Sequence, residues 1–306
     1  MEKVFIACCN LNGNRYSRKV CKYNINANGG ESVLSTKTRK ILHWPFEIPS
    51  TFNANTTTFL FTVRNPISRL VSAFNMHHPS NTHNTGDNNG ANYFYSCFPT
   101  IQHLANTLQN HDKGLSVMNV NNESVNCFQL GKDTLTGRPP EQPCAADYTS
   151  AKHYEKMKYV YENNAGLACG HCYGNYDKYT KYTLQQYPDK EVFAIRTEQL
   201  WNDTHNLNVA LGGREDAFEH ITNHRFTHGS QAYQVSVGLT KLGKATICCF
   251  IYEEIALYEQ IIKRAVNLLE DEKNEALASL YEDCGITNRD DGDFRWNVWA
   301  ETHNCL

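Results

Sequence analysis

The sequence predicts an α/β fold in which helices flank a mostly parallel central sheet, giving three layers. Short apolar runs typical of buried strands alternate with segments whose apolar residues recur every three or four positions. The chain has 306 residues and is 41% hydrophobic and 20% charged, which is sufficient for a globular core. We expect one domain over residues 1–306, with a polar, loop-rich insertion at about 77–150 and a helical C-terminal part at about 240–285.

The predicted strands are short, rich in β-branched or aromatic residues, and bounded by turn-forming residues. They are Lys3–Cys9, a part of Ser32–Leu42, Phe59–Val63 and Val192–Arg196. The predicted helices are Arg15–Tyr23, a segment that starts at Pro66, Thr100–Gln109, Ala151–Asn163, Tyr173–Gln186 and Ala245–Glu270. The last of these keeps its apolar stripe over its whole length, which predicts a single long amphipathic helix. Pro79–Asn92 is rich in Asn, His, Thr and Gly, and Gly131–Thr149 carries Pro139, Pro140 and Pro143, so both segments are predicted to be irregular.

Charge and hydropathy exclude several classes of partner. The formal net charge is −3, so the chain has no overall basic field to attract nucleic acid or an anionic membrane. An anionic ligand would need a local basic site. No apolar stretch approaches the roughly 18 residues of a membrane span, and no apolar signal-peptide segment precedes a cleavage site. We therefore expect neither a nucleic-acid partner nor a transmembrane segment in this chain.

The cysteine content favours an oxidising compartment. Twelve cysteines are many for a cytosolic chain of this length, and an even number permits complete pairing. Spacing alone does not give the connectivity. Cys97, Cys127 and Cys144 lie in a polar region that a disulfide would help to order. Sequons for N-glycosylation, compatible with a luminal location, occur at Asn55, Asn122 and Asn202.

A second cysteine pair has two interpretations. Cys169 and Cys172, with His171 between them, could form a redox motif or half of a zinc site. The sequence has no second ligand pair at zinc-finger spacing, so a disulfide or simple packing is favoured. We expect no metal site.

The segment after the strand Phe59–Val63 carries the strongest functional signal. Arg64 comes at the carboxyl end of the strand, Asn65 is a good helix N-cap, and Pro66 suits the first helical position. The start of a helix offers unpaired N–H groups and a positive dipole end, and an Arg fork matches phosphate oxygens. This pattern predicts an anion site to which Ser72 adds a hydroxyl. The alternative is an ordinary surface Arg before an amphipathic helix.

A family resemblance favours the anion site. Arg64, Pro66, Arg69 and Ser72 form an Arg-x-Pro-x-x-Arg-x-x-Ser pattern, with Phe74 two residues further on. The pattern resembles the 3′-phosphate-binding motif of sulfotransferases that use 3′-phosphoadenosine-5′-phosphosulfate (PAPS), closest to their carbohydrate branch. That resemblance implies a P-loop NTPase-like fold, PAPS as donor, a glycan hydroxyl as acceptor and a Golgi location. It also implies that Arg64 and Ser72 hold the 3′-phosphate.

Later segments are similar to the same family in the same order. Lys190–Asp203 resembles its late strand and the Arg-x-Glu-x-Leu-x-x-Asp segment. Leu211–Gly213 resembles the Leu-Gly pair that ends this segment in the family. Tyr173–Pro188 resembles the helix before that strand, and Tyr258–Leu268 resembles the C-terminal helix. Sulfotransferases of the carbohydrate branch are usually anchored in the Golgi membrane by an N-terminal helix. We therefore expect either a natural soluble variant or a sequence without its beginning, so that a membrane anchor is missing.

The first loop departs from the family pattern. The resemblance places the 5′-phosphosulfate loop at Cys9–Ser17, where Gly13 matches the family glycine. Leu11 stands where a Lys is expected. The positive charge that stabilises the transferring sulfate would therefore have to come from Arg15, Arg18 or Lys19. The residues predicted to hold the phosphosulfate are Asn12, Gly13, Asn14 and Arg15. The alternative is a loop that no longer catalyses, in a nucleotide-binding pseudoenzyme.

Sulfuryl transfer also needs a base for the acceptor hydroxyl. His43 lies 21 residues before Arg64, after an apolar segment, which predicts a position at the carboxyl edge of a neighbouring strand. Weaker candidates are His77, His78 and Glu198, and for Glu198 a structural hydrogen bond is the favoured role. A kinase-like phosphotransferase is a third functional class. The sequence lacks the Gly-Lys-Ser/Thr motif that would support it.

Overall fold

The structure is a computed structural model that describes residues 3–7, 38–42, 56–78, 94–110, 117–120, 123–136, 184, 187–218, 238–286, 294–303 and 305. Its strands are β1 (Lys3–Ala7), β2 (Thr38–Leu42), β3 (Thr56–Val63), β4 (Val117–Val120), β5 (Glu123–Asn126) and β6 (Glu191–Arg196). The helices α1 to α4 are Pro66–His77, Ile101–Gln109, Cys127–Thr136 and Leu200–Ala210. The helices α5 to α8 are Lys241–Phe250, Tyr252–Arg264, Glu270–Asp283 and Trp296–Thr302.

The chain forms two compact units, each assembled from separate stretches. The sheet unit comprises Met1–Asn65, Tyr176–Ser230 and Leu257–Leu277. The helical unit comprises Pro66–Asn175, Gln231–Ala256 and Ala278–Leu306. The expected organisation into one domain with an insertion stays a prediction.

The sheet unit confirms the α/β class. Its strands have the order β2-β1-β3-β6, and β1 pairs in parallel with both β2 and β3. β3 pairs in parallel with β6, so that Val63 lies opposite Arg196 at the ends of the two strands. A core of Leu60, Phe193 and Leu207 packs a β3 side chain and a β6 side chain against helix α4. All four strands fall within or overlap the segments predicted from the sequence.

The outer edge of β6 is hydrogen-bonded to the chain that follows helix α6. Val266 N–H donates to Val192 O at 2.9 Å. The Asn267 side chain then pairs with both backbone groups of Ala194, because its Oδ1 accepts the N–H and its Nδ2 donates to the carbonyl, each at 2.8 Å. Asn267 is buried, and its amide here takes the place of a neighbouring strand.

The predicted single helix over Ala245–Glu270 is wrong, because the chain is broken twice there. Ile251 has φ −114° and ψ 23°, outside helical values, and separates α5 from α6. Ile251 nevertheless remains buried, so the apolar period continues through the break. Helix α6 ends at Arg264 because the next residues turn to pair with β6.

The helical unit contains regular structure where a loop was predicted. Helix α3 covers the first part of Gly131–Thr149, and Asn126 Oδ1 accepts the Gln129 N–H at its start, at 3.1 Å. A Cβ added to Gly131 would lie 2.9 Å from Leu104 and 3.1 Å from Phe98, both fully buried. Gly131 therefore allows α3 to approach α2 closely. The loop predicted from Pro139, Pro140 and Pro143 is therefore wrong for its first part, residues 131–136.

The cysteine pairing supports the predicted oxidising environment. Within the described stretches, the disulfides are Cys97–Cys127, Cys248–Cys284 and Cys249–Cys305. The first confirms that a disulfide orders the polar region around Cys97. Such pairing is typical of secretory or extracellular proteins. No helix in the described ranges is long and apolar enough to cross a membrane.

Candidate functional site

The predicted anion site lies where β3 and β6 end side by side. Because the two strands are parallel and Val63 lies opposite Arg196, the residues that follow each strand emerge at the same edge of the sheet. Ligands of open α/β sheets bind at this carboxyl edge. Arg64 and Asn65 follow β3, and a short 3-10 turn, Thr197–Gln199, follows β6.

Arg64 and Asn65 both contact the Glu198 carboxylate. The Asn65 N–H donates to Glu198 Oε1 at 3.0 Å, and Arg64 Nε lies 3.9 Å from the same oxygen. The side chains of Arg64 and Glu198 are 30% and 39% exposed, so both reach solvent. The hydrogen bond agrees with the structural role predicted for Glu198.

The helix predicted after this connection is present. Helix α1 begins at Pro66, as the sequence indicates, and Ser72 lies on it with a half-buried side chain. Arg69, the second Arg of the motif, is buried and its Nη2 donates to Glu254 Oε2 at 3.2 Å. Arg69 therefore has a structural role within the helical unit, because both members of this ion pair are buried.

The Arg-x-Glu-x-Leu-x-x-Asp segment has a clear structural explanation. Asp203 Oδ2 accepts both the Arg196 backbone N–H and Nε, at 2.7 and 2.9 Å, and Oδ1 accepts Nη2 at 2.7 Å. Arg196 Nη1 donates to Glu272 O at 3.0 Å. The hydrogen bonds with Asp203 raise the pKa of Arg196. The pair fixes the end of β6 to the first turn of α4.

Tyr258 is a buried neighbour of this site that sequence reasoning assigned only to a helix. Burial is the main cause that raises the pKa of its phenol, and the negative charge of Glu198 raises it further. The phenol therefore stays protonated at physiological pH. Its membership of the apolar stripe on α6 concealed this polar environment, and no sequence signal identified it.

Five other predicted site residues lie outside the described residues, namely His43, Asn12, Gly13, Asn14 and Arg15. His78 lies in the helical unit, where its Nε2 is 3.2 Å from Pro99 O, and burial lowers the pKa of its imidazole. Over the described ranges, no group of three or more His, Cys, Asp or Glu side chains could hold a metal ion.

No protein-family model matches this chain, and no curated protein or solved structure is significantly similar to it. The residues and their geometry define an α/β protein in which a basic side chain follows a central parallel strand.

Proposed function

We propose that the protein is a PAPS-dependent sulfotransferase of the carbohydrate branch, with a P-loop-like three-layer fold, acting in the Golgi lumen. The observation that carries the proposal is the position of Arg64, directly after β3 and directly before the connection to helix α1. Its partly exposed side chain carries a guanidinium with the planar donor geometry that a phosphate group requires. The disulfides agree with a secretory compartment.

In the proposed reaction, PAPS supplies an activated sulfuryl group and PAP (3′-phosphoadenosine-5′-phosphate) is the leaving group. His43 takes the proton of a glycan hydroxyl, whose oxygen forms the new bond to sulfur while the bond from sulfur to the phosphate oxygen breaks. Arg64 and Ser72 hold the 3′-phosphate. Gly13, with Asn12, Asn14 and Arg15, holds the 5′-phosphosulfate and stabilises the charge that develops on the leaving phosphate. The roles of the phosphate-binding residues rest on the family resemblance, and that of His43 rests on its position 21 residues before Arg64.

A second candidate is a PAP- or PAPS-binding pseudoenzyme of the same fold. Leu11 favours it, because the family places a Lys at this position to stabilise the transferring sulfate. The two candidates share the 3′-phosphate site and differ only in the transfer step. Binding of PAP tests both together, and sulfate transfer separates them.

Replacing Arg64 with alanine is expected to weaken PAP binding at least about tenfold. A hydrogen-bonded charge pair contributes on the order of 1.5–3 kcal/mol, and about 1.4 kcal/mol corresponds to one decade in the dissociation constant. Isothermal titration calorimetry measures the effect. Arg214→Ala removes an exposed Arg from the same unit and is expected to leave the affinity unchanged. Unchanged affinity in a folded Arg64→Ala protein would contradict the assignment.

A sulfate-transfer assay with labelled PAPS and mixed glycan acceptors distinguishes enzyme from pseudoenzyme. We expect transfer by the wild-type protein and its loss, by about two decades or more, in His43→Ala. Activity that appears only when Leu11→Lys restores the missing charge would establish the pseudoenzyme. Transfer that does not depend on His43 would remove that residue from the mechanism.

A further inference from the structure

A single carboxylate oxygen connects the two residues that follow β3. Glu198 Oε1 accepts the Asn65 N–H at 3.0 Å and lies 3.9 Å from Arg64 Nε. Residues 65 and 198 are 133 positions apart in the chain, so this contact depends on the fold. All three residues belong to the sheet unit.

The fold fixes the place from which Glu198 acts. Parallel pairing puts Val63 opposite Arg196, and Glu198 follows two residues later in the 3-10 turn. The backbone at the start of that turn is held, because the Arg196 N–H donates to the buried Asp203. The hydrogen bond to Asp203 therefore fixes the backbone from which the Glu198 side chain reaches the residues that follow β3.

We propose that Glu198 is a positioning residue for Arg64, which orients the guanidinium and the adjacent backbone for binding of the 3′-phosphate. The inference deepens the proposed function and rests on it. Glu198 itself does not touch the nucleotide. Glu198 holds the Arg64 side chain in place before an anion binds. Binding then costs less side-chain conformational entropy, which is how preorganisation raises affinity.

The alternative role for Glu198 is a competing anion that occupies the phosphate position. Two contacts favour positioning. The Asn65 N–H belongs to the residue before helix α1, whereas an anion at a helix start uses N–H groups within the first helical turn. The ion pair involves Nε of Arg64, and in the proposal the Nη1 and Nη2 donors are the ones that meet the phosphate.

The charge of Glu198 also acts on Tyr258 of α6. Burial is the main cause that raises the pKa of this phenol, and the Glu198 charge raises it further, so the phenol stays neutral. The contacts of the carboxylate that carry the proposal are those with Asn65 and Arg64. A Gln at position 198 would keep an acceptor for the Asn65 N–H but lose the attraction to Arg64.

The test is a double-mutant cycle on PAP affinity, measured by calorimetry with wild type, Glu198→Ala, Arg64→Ala and the double variant. Glu198→Ala is expected to weaken PAP binding about fivefold, and to have no further effect once Arg64 is absent. Glu198→Gln is expected to lie between wild type and Glu198→Ala. Glu215→Ala, which removes an exposed carboxylate of the same unit, is the matched control and should bind PAP like wild type.

Each outcome decides between the proposals. Absence of PAP binding by the wild type overturns the proposed function, and this inference with it. Loss of binding in Arg64→Ala with unchanged or tighter binding in Glu198→Ala overturns the inference alone. An equal loss on removing Glu198 with or without Arg64 indicates a general structural role and also overturns it. If Glu198→Ala does not fold, Glu198→Gln in the two Arg64 backgrounds gives the same comparison.

Discussion

Replacing Asp203 with alanine is expected to lower the free energy of unfolding by about 3–5 kcal/mol, as for other broken buried ion pairs. Asp203 is fully buried, and the Arg196 side chain is only 5% exposed. Loss of the carboxylate leaves the guanidinium and the Arg196 N–H without their main acceptor in a place that water does not reach. Urea denaturation followed by circular dichroism measures the change.

The matched control removes a carboxylate from an exposed pair in the same unit. Arg214 and Asp216 also form an ion pair, but their side chains are 81% and 46% exposed. Solvent screens such a pair, so Asp216→Ala should produce no measurable change in stability. Asp203→Asn keeps the shape and one carbonyl acceptor, and its stability should lie between those of wild type and Asp203→Ala. Equal effects of Asp203→Ala and Asp216→Ala would refute the structural role of the Arg196–Asp203 pair.

Removing the disulfide between Cys248 and Cys284, by alanine at both positions, is expected to destabilise the protein by about 3–4 kcal/mol. The two cysteines are 36 residues apart and both are buried. The bridge restricts the unfolded chain, and alanine avoids burying a new polar group in the native state. Guanidinium denaturation under non-reducing conditions gives the difference.

A reductant provides the control for this disulfide prediction. When all disulfides are reduced, wild type and the double variant differ only by two buried thiols. Their denaturation midpoints should then converge. A difference that persists in reductant would show that cavity formation, and not the covalent link, is responsible for the loss of stability.

Local signals were sufficient to predict the four strands of the parallel sheet and the start of helix α1, but not the antiparallel pair β4 and β5. The β-branched and aromatic run before Val63 and the Asn-Pro pair after Arg64 each specify a backbone conformation without help from distant residues. The break at Ile251 was not predictable in this way, because the residue stays buried and preserves the apolar period. The loop predicted for Gly131–Thr149 is wrong over residues 131–136, because the prolines that favoured it come later in the chain and Gly131 packs closely against Leu104 and Phe98.

In the candidate site too, residues set by local sequence were predictable and contacts set by the fold were not. The sequence identified Arg64, because strand, Arg and helix start are adjacent in the chain. It did not identify the contact of Glu198 with Asn65, because that contact depends on the register between β3 and β6. The Arg196–Asp203 pair carried a weak signal. An Arg that ends a strand and an Asp in the first turn of the following helix are separated by seven residues, which brings them within reach.

The side-chain amide of Asn267 has a consequence for the solution behaviour of the protein. Edge strands with unpaired backbone groups can recruit strands from other molecules and so promote association. On β6, the outward groups of Val192, Ala194 and Arg196 are bonded to Val266, Asn267 and Asp203. A foreign strand would have to displace three sets of intramolecular contacts, two of them made by buried side chains. This edge of the sheet is therefore protected from edge-to-edge association by the chain after α6 and by the side chains of Asn267 and Asp203.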